Sequence, residues 1–510
     1  MKKKLLPALI VTGLIILVVI IMGITALINK YTPTKKTEDL KEYFNISSDD
    51  EAALIVDNEL SDYKAKIIDK KIYVDYKFVH DSLNSRFYWD ANENVLLYTT
   101  ASDIISAAAD SNSYSVTKQT NDFGYPIVKA TSDSALIALD YVKQYSNITF
   151  KSYDDPARIV ITSKWDEIDS ATVSKSTQVR VKGGIKSPIL KEVKKDDKIT
   201  ILDSGDKWDK VATEDGVIGY IKRKALSESK KTKLTNPDYE EETFTHIKKD
   251  KDICLAWNQV TSQSANSKVP QVISSTKGIN VMSPTWFYLN DNNGNLADIA
   301  SKDYVSYCHS QGIEVWGLFS NFENTDVDAA YVLTHTSTRT TLINQIMSAA
   351  FNYELDGVNI DFENITEAAY GDSYIEFIRE LAIKCHNNGI SLSVDVTVPA
   401  SFNKFFNRSD MANFADYIVI MGYDEHYKGS DAGSVSSIPW VTEGVESTLK
   451  EVPADQIILG MPFYTRIWEL TPKEDDDAVT DTEDQSKYTV ASQVYSCLLY
   501  TSPSPRDTER

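Results

Sequence analysis

The sequence predicts an α/β protein whose largest part is a (β/α)8 barrel, preceded by a membrane-spanning helix, a small α+β module and a small β-barrel. Three observations predict this architecture. The chain has 510 residues, of which 42% are hydrophobic and 25% charged, the composition of a globular protein of about three domains. An uncharged, mostly apolar stretch opens the chain at residues 5–28. After residue 252, apolar strand-like runs alternate with helical stretches.

The N-terminal stretch (1–30) is predicted to be a transmembrane signal anchor. Residues 5–28 are long enough to cross a hydrocarbon core of about 30 Å as one helix. Lys2, Lys3 and Lys4 precede the helix, which predicts a cytoplasmic N-terminus and an exported remainder. No small-x-small cleavage site follows the stretch, so an uncleaved anchor is favoured over a cleaved signal. We therefore expect a single-pass protein of the cell membrane whose other domains face the cell wall.

The charge and the cysteines exclude several functions. The chain carries 53 Lys and Arg against 74 Asp and Glu, a formal net charge of −21, and it contains no basic stripe, so no nucleic-acid partner is expected. Its four cysteines are widely spaced, and none of its six histidines pairs with another at i, i+4. No metal site and no cofactor are predicted.

After a predicted linker (31–51), residues 52–165 contain an imperfect duplication. Each copy is predicted to form a strand, a short helix and two further strands. The pattern resembles the small N-terminal domain of copper amine oxidases, an accessory module of exported Gram-positive proteins. His80 is the lone histidine of this region and cannot build a copper site, so a spacer role is expected. The strand-like segments are 72–79, 87–90 and 94–98 in the first copy, and 125–128, 150–154 and 158–161 in the second, where 138–142 is the helix.

Residues 171–228 are predicted to form several short strands separated by turns. Trp208, the Asp215-Gly216 turn and the 219–221 strand resemble a bacterial SH3-like domain. Such domains often dock on cell-wall peptide or glycan, and a plain spacer is the open alternative. Residues 229–250, rich in Lys, Ser, Thr, Asp and Glu, are predicted to be a linker.

Residues 251–496 are predicted to form the barrel, with seven strands visible and the eighth missing. An open doubly wound sheet is the alternative fold, but no glycine-rich phosphate loop follows any strand. In a (β/α)8 barrel the chemistry lies at the carboxyl ends of the strands. The predicted strands are 253–257, 279–283, 313–318, 357–362, 392–396, 417–421 and 457–461.

The fourth run ends in a polar cluster within the octet 356–363. Since side chains of a strand alternate between its faces, Asn359, Asp361 and Glu363 project to the same side. Neighbouring carboxylates raise each other's proton affinity, which favours a protonated Glu363 near neutral pH. A general acid beside a supporting carboxylate suits cleavage of a glycosidic bond. A structural ion network or a metal site stays open from the residues alone.

The octet is similar to the Asp-Gly-x-Asp-x-Asp-x-Glu signature of family 18 glycoside hydrolases, the chitinase-like TIM barrels. The segments 421–424 (Met-Gly-Tyr-Asp) and 461–464 (Met-Pro-Phe-Tyr) match two further elements of that family. Within that family, the residues of the octet most resemble those of the bacterial branch that acts on cell wall and spore cortex. Asn359 departs from the aspartate that the family usually carries.

The resemblance implies substrate-assisted retaining hydrolysis. Glu363 is then the general acid and base, Asp361 orients the substrate's acetamido group, and Tyr423 hydrogen-bonds its oxygen. The implied supporting residues are Asp424, Met421 and Trp286 as substrate contacts, and Asp356 and Asn359 as supports behind the catalytic pair.

The end of the chain breaks the barrel pattern. Residues 488–495 are predicted to be a helix, and 497–510 resemble the conceptual translation of a sequencing adapter, so a non-native tail is expected there. If so, the natural barrel continues beyond about residue 496 and this chain as written is expected to fold poorly.

The predicted function is hydrolysis of β-1,4 bonds next to N-acetylglucosamine in peptidoglycan, chitin-like polymers or host glycans. A non-catalytic, chitinase-like wall-binding protein is the alternative, although such proteins commonly lose the acid that Glu363 supplies.

Overall fold

The computed structural model describes residues 5–363, 365, 370–473 and 485–496. The predicted tail 497–510 lies outside the described residues. The chain divides into two compact units, Met1–Ser85 with Pro126–Glu241 and Arg86–Tyr125 with Glu242–Arg510. The segment 86–125 thus leaves the first unit and belongs to the second.

The first unit begins with helix α1, Leu5–Tyr31. Its section Leu9–Tyr31 has a mean hydropathy of 2.9 and is long and apolar enough to cross a membrane. Its described side chains are exposed, as expected for a helix that packs against lipid rather than protein. A short helix α2 (Leu40–Tyr43) follows, with Asp39 capping its N-terminus.

The first sheet of this unit starts with four elements: β1 (Glu51–Val56), β2 (Glu59–Ile68), β3 (Lys71–Asp75) and α3 (Tyr76–Ser82). The chain then enters the second unit as a five-stranded antiparallel meander: β4 (Phe87–Asp90), β5 (Val95–Thr99), β6 (Ile104–Ala108), β7 (Ser113–Val116) and β8 (Gln119–Asp122).

The chain returns to the first unit with five elements: β9 (Val128–Ala130), β10 (Ala135–Ala138), α4 (Leu139–Gln144), β11 (Thr149–Tyr153) and β12 (Arg158–Thr162). The sheet order is β11-β12-β1-β2-β3-β10-β9. The predicted repeat appears twice, as β3-α3-β4-β5 and β10-α4-β11-β12. The copies differ in pairing, because β11 and β12 join this sheet whereas β4 and β5 join the meander.

Residues 166–233 form a second antiparallel sheet with the order β15-β14-β18-β17-β16-β13-β19. Its strands are β13 (Glu167–Thr172), β14 (Thr177–Arg180), β15 (Ile189–Val193), β16 (Lys198–Asp203), β17 (Trp208–Thr213), β18 (Ile218–Lys222) and β19 (Lys230–Lys233). Strand β19 lies inside the predicted linker 229–250. The likeness to an SH3 domain stays a prediction.

The predicted linker 31–51 is partly ordered. The amide of Thr34 donates to the carbonyl of Ile185 at 2.8 Å, and Glu38 and Ile189 continue this pairing along the edge of β15. The chain that leaves α1 is therefore attached to the second sheet within a few residues.

The second unit contains seven parallel strands in chain order: β20 (Leu255–Asn258), β21 (Val281–Leu289), β23 (Glu314–Ser320), β24 (Gly357–Asp361), β25 (Ser391–Thr397), β26 (Tyr417–Met421) and β27 (Ile457–Gly460). Strand β22 (Leu296–Asp298) pairs with the end of β21. The seven predicted barrel strands are all present as parallel strands in chain order.

Helices connect the strands in sequence, as right-handed parallel crossovers require. They are α5 (Val269–Ser274), α6 (Lys302–Ser310), α7 (Ala329–Thr334), α8 (Thr336–Tyr353), α9 (Gly371–His386), α10 (Arg408–Phe414) and α11 (Ile438–Thr448). The apolar faces of α5 to α10 pack on the outside of the sheet and form the main core of the unit.

The inside of the sheet is apolar at the amino ends of the strands, where Val281, Trp316 and Tyr417 are buried together. Gly357 makes room for this layer: a Cβ atom at this position would lie 2.6 Å from the ring of Trp316. Polar side chains follow higher up on the same strands, so the inner face changes from apolar to polar toward the carboxyl ends.

An antiparallel hairpin follows β27 and consists of β28 (Tyr464–Pro472) and β29 (Tyr488–Ser496). The prediction of a helix at 488–495 is wrong. The β-branched residues Thr489, Val490 and Val494 suit an extended conformation, and pairing with β28 overrides the local helical interpretation.

Candidate active site

The predicted catalytic residues lie at the carboxyl end of β24. Asn359 is fully buried, Asp361 is largely buried and Glu363, two residues farther on, is exposed. Asp361 is paired in register with Ser320 of β23. The three polar side chains therefore form a column that runs from the buried inside of the sheet to its open edge.

Asn359 is the base of this column. Its Oδ1 accepts hydrogen bonds from Trp257 Nε1 at 3.0 Å and from Ser283 Oγ at 2.9 Å. Its Nδ2 donates to Asp395 Oδ1 at 2.7 Å. The side chain is thus satisfied on both sides, as a fully buried amide must be.

Asp361 and Asp395 form a buried carboxyl pair. Burial, the charge of Asp395, and the charges of Glu363 and Glu323 raise the pKa of Asp361 well above its usual range. Burial raises the pKa of Asp395 to about 8, although its hydrogen bonds with Asn359 and Trp257 lower it. At neutral pH the pair cannot carry two full negative charges.

Glu363 is arranged as a proton donor. Partial burial, followed by the charges of Asp424 and Glu323, raises the pKa of its carboxyl. Glu323 is held near Ser320, whose hydroxyl lies 2.6 and 2.7 Å from the two carboxylate oxygens. A carboxyl group that holds its proton to higher pH is suited to general acid catalysis.

Tyr423 follows β26 and is held between two aromatic rings. Trp257 and Tyr464 each contact it edge-to-face, with ring centroids 6.1 Å apart in both pairs. Burial and the charges of Asp395, Asp361 and Glu363 raise the pKa of its phenol. The hydroxyl therefore stays protonated and is available as a donor. Met421, at the end of β26, is buried beneath this group.

Asp424 adopts a left-handed conformation with φ of 58°. Its Oδ1 accepts a hydrogen bond from Arg466 Nη2 of β28 at 2.9 Å, and burial and this carboxyl group raise the pKa of the Tyr464 phenol. The hairpin β28–β29 thus supplies two side chains that interact with a predicted substrate contact.

Two predicted site residues lie elsewhere. Trp286 is fully buried, donates from Nε1 to Asn266 Oδ1 at 2.8 Å and packs edge-to-face on Tyr304. Its ring belongs to the outer core, so the expectation that it stacks on a sugar is corrected. Asp356 lies at the other end of β24, where its Oδ2 accepts from the amide of Val315 at 2.8 Å and contacts His309. It fastens β24 to β23 and does not reach the site.

The structure adds four residues to the site: Trp257, Glu323, Asp395 and Arg466. The signal for Asp395 is present in the sequence, because a carboxylate interrupts an otherwise apolar strand. Trp257 also lies on a predicted strand. Glu323 and Arg466 lie on a loop and on a hairpin, and no periodicity places them near Glu363.

Among the residues that the structure describes, no group of three His, Cys, Asp or Glu side chains is arranged to hold a metal ion.

A sheet of parallel strands carries Glu363 beyond the carboxyl end of its fourth strand, Asp361 two residues earlier and Tyr423 after its sixth strand. This is the arrangement that the resemblance to the chitinase-like family predicts. Residues 324–497 match the model of the glycosyl hydrolases family 18.

Three similar proteins are bacterial. The uncharacterized glycosylase YvbX of Bacillus subtilis (strain 168) is 25% identical over 194 residues, which cover 35% of this chain and 55% of that protein. The cortical fragment-lytic enzyme of the same organism is 26% identical over 187 residues, covering 35% of this chain and 43% of that protein. The crystal structure of the spore cortex-lytic enzyme SleL of Bacillus cereus is 18% identical, with a TM-score of 0.40 and coverage of 48% of this chain and 55% of that chain. The chain spans about half the length of the curated relatives it matches.

Proposed function

We propose that this protein is a membrane-anchored, extracellular glycoside hydrolase that cleaves β-1,4 bonds next to N-acetylglucosamine in peptidoglycan or chitin-like glycans. The observation that carries the proposal is Glu363, an exposed carboxyl with a raised pKa beside the buried Asp361 and the Tyr423 phenol. This arrangement supplies a proton at the open edge of the barrel and a negative charge behind it.

The first step breaks the glycosidic bond. Glu363 gives its proton to the glycosidic oxygen as the bond from that oxygen to the anomeric carbon breaks. The carbonyl oxygen of the substrate's own 2-acetamido group attacks the anomeric carbon and forms an oxazolinium ion. Asp361 accepts the acetamido N–H and stabilises the positive charge, while the Tyr423 hydroxyl donates to the carbonyl oxygen.

The second step releases the product. The Glu363 carboxylate, formed in the first step, takes a proton from a water molecule. The water oxygen bonds to the anomeric carbon, and the bond to the acetamido oxygen breaks. Two displacements at one carbon return its original configuration, so the reaction is retaining. Asp424, held by Arg466, is placed to contact the sugar.

Wall glycan is the substrate that the relatives favour, because one of them is named a cortical fragment-lytic enzyme. The apolar helix α1 supports attachment to the membrane surface from which the wall is reached. In this proposal, residues 171–228 form an SH3-like module that contacts the wall, and residues 52–165 with their duplicated pattern act as a spacer.

The test is digestion of purified peptidoglycan and of β-1,4-linked N-acetylglucosamine oligomers by the full-length protein, with products identified by mass spectrometry. Glu363→Gln should abolish cleavage and leave glycan binding in a pull-down unchanged. Glu446→Gln, an exposed residue of α11, is the matched control and should cleave like the wild type. Wild-type binding without any cleavage would favour the wall-binding alternative. Substantial cleavage by Glu363→Gln would overturn the assignment of the acid.

A further inference from the structure

The site contains a carboxyl group that the family motif does not account for. At position 359, where family 18 proteins usually carry an aspartate, this chain has an asparagine. Asn359 Oδ1 accepts two hydrogen bonds, from Trp257 and Ser283, and an amide oxygen can only accept. These two donors determine the orientation of the amide, so it is Nδ2 that faces Asp395, at 2.7 Å.

The strand register brings Asp395 beside the catalytic Asp361. Strands β24 and β25 are parallel, and Ile360 is paired with Val394. The next position in this register aligns Asp361 with Asp395 on the inner face, about 4.8 Å apart at their Cα atoms. Oδ1 of Asp361 and Oδ2 of Asp395 are both buried, and neither has a hydrogen-bond partner among the described residues.

Two buried carboxyl oxygens without other partners, on aligned neighbouring strands, are best satisfied by one proton between them. If both groups were ionised, two like charges would lie side by side in a buried position, where each charge is costly. If one proton is present, the protonated carboxyl donates to the ionised one, and both oxygens are satisfied at a net charge of −1.

We propose that Asp395 is the positioning residue of this site and replaces, on the neighbouring strand, the carboxyl group missing from position 359. Nδ2 of Asn359 donates to Oδ1 of Asp395 and thereby holds this carboxyl group. Oδ2 of Asp395 shares a proton with Oδ1 of Asp361. This inference rests on the proposed function, in which Asp361 must be ionised when it accepts the acetamido N–H. Asp395 stores the proton that Asp361 gives up and keeps its carboxylate aimed at the substrate.

The groups around Asp395 agree with a protonated state at neutral pH. Asp361 and Glu363 face it from β24 and the residues that follow, Tyr374 from α9, and Tyr423 from the segment after β26. These four are neutral or negative, and the two donors at the base, Asn359 and Trp257, are neutral. Glu323 adds a further negative charge near Asp361.

The experiment exchanges the two side chains. We compare the wild type with Asp395→Asn, Asn359→Asp and the double variant Asn359→Asp/Asp395→Asn, measuring kcat, KM and the pH profile of each. Asp395→Asn should lower kcat by about 10- to 100-fold, because the variant loses one hydrogen bond to a charged group. KM should change by less than about threefold. Asn359→Asp alone should also be impaired, because it places a third carboxyl group in the cluster.

The double variant decides between positioning and packing. It keeps one carboxyl and one amide group in the same space, so its kcat should be at least tenfold higher than the kcat of either single variant. The proposal would be overturned if the fold losses in kcat of the two single variants multiply in the double variant. An Asp395→Asn protein with the wild-type kcat and pH profile would also overturn it.

A second measurement does not depend on hydrolysis. In the Glu363→Gln background, infrared difference spectroscopy at pH 7 should detect the C=O band of a buried protonated carboxyl group, and Asp395→Asn should remove it. Absence of the band in the Asp395-containing protein contradicts proton sharing even if the enzyme is active. A band in a wild type that cleaves no glycan contradicts the proposed function and leaves the proton sharing supported.

Discussion

Arg466 donates a hydrogen bond from Nη2 to Oδ1 of Asp424 at 2.9 Å and thereby links the β28–β29 hairpin to the turn after β26. Asp424 has a positive φ, a conformation that a non-glycine residue keeps only when its surroundings hold it. Arg466 is almost buried, whereas the side chain of Asp424 is 41% exposed. A largely buried partner thus holds an exposed carboxylate toward solvent, as the proposed substrate contact by Asp424 requires.

The first prediction concerns this pair. Arg466→Ala should raise KM and lower kcat/KM by about tenfold, since a charge-assisted hydrogen bond at a partly exposed group contributes about 1.5 kcal/mol. Arg466→Lys should recover part of the loss, because it restores the charge without the forked geometry. The measurement is steady-state cleavage of N-acetylglucosamine oligomers. Equal losses in kcat with KM unchanged would contradict a substrate-holding role.

The second prediction concerns the pH dependence of the proposed reaction. In the proposed mechanism Glu363 must be protonated to act as the acid, so activity should be present below its pKa and be lost as the pH rises through it. Burial, Asp424 and Glu323 raise that pKa. Glu323→Gln removes one of these charges and should shift the alkaline limb of the kcat/KM profile to lower pH, more strongly at low salt. Glu446→Gln should leave the limb in place. A shift to higher pH would contradict the assignment.

The meander 86–125 supplies caps to a barrel helix. Asp90 Oδ2 accepts from both the amide and the hydroxyl of Thr336 at 2.6 Å, at the first residue of α8. Glu93 Oε2 accepts from the amide of Ser337 at 3.0 Å. The first amides of a helix have no partner within the helix, so these two acids replace the usual capping side chain.

Asp90→Ala should therefore destabilise the start of α8 by about 1–2 kcal/mol. Hydrogen exchange of the peptide that covers residues 333–342 should accelerate, while exchange in α11 stays unchanged. Glu93→Ala, at a half-buried position, should have a smaller effect in the same direction. Unchanged exchange in the Asp90→Ala protein would mean that the meander does not cap the helix in solution.

Much of the barrel and its acid could be predicted from the sequence. In a barrel, helices cover the outer face of each parallel strand and side chains fill the space at its inner face. Both faces are therefore apolar, and each strand appears in the sequence as a continuous apolar run. Alternation along the fourth run places Asp361 and Glu363 on one face, as the structure has them.

The other features depend on long-range pairing, which local patterns do not encode. The meander has the same strand pattern as the first-unit repeat, yet its polar and aromatic groups bind α8 and α9 of the second unit. Residues 488–495 form a strand only because β28 lies beside them. Asp395 joins the site through the register of β25 with β24, which the sequence of either strand alone does not reveal.

The last prediction concerns the buried charges beneath the meander. Thr99 Oγ1 donates to Glu376 Oε1 at 2.9 Å, and Arg379 Nη1 donates to Glu376 Oε2 at 2.9 Å. Glu376 is fully buried, and Arg379 also binds Asp410. A buried carboxylate that loses a donor keeps its desolvation cost, so Thr99→Val should destabilise the second unit by about 1–3 kcal/mol.

Thr120→Val is the matched control, because Thr120 lies on the exposed outer strand β8 of the same meander and the substitution is chemically identical. Differential scanning calorimetry of both variants should show a lower transition temperature for Thr99→Val and almost none for Thr120→Val. Since Val and Thr have nearly the same shape and β-propensity, a difference between the two variants reports the hydrogen bond to Glu376 rather than packing. Equal transition temperatures would mean that Arg379 alone satisfies the buried carboxylate.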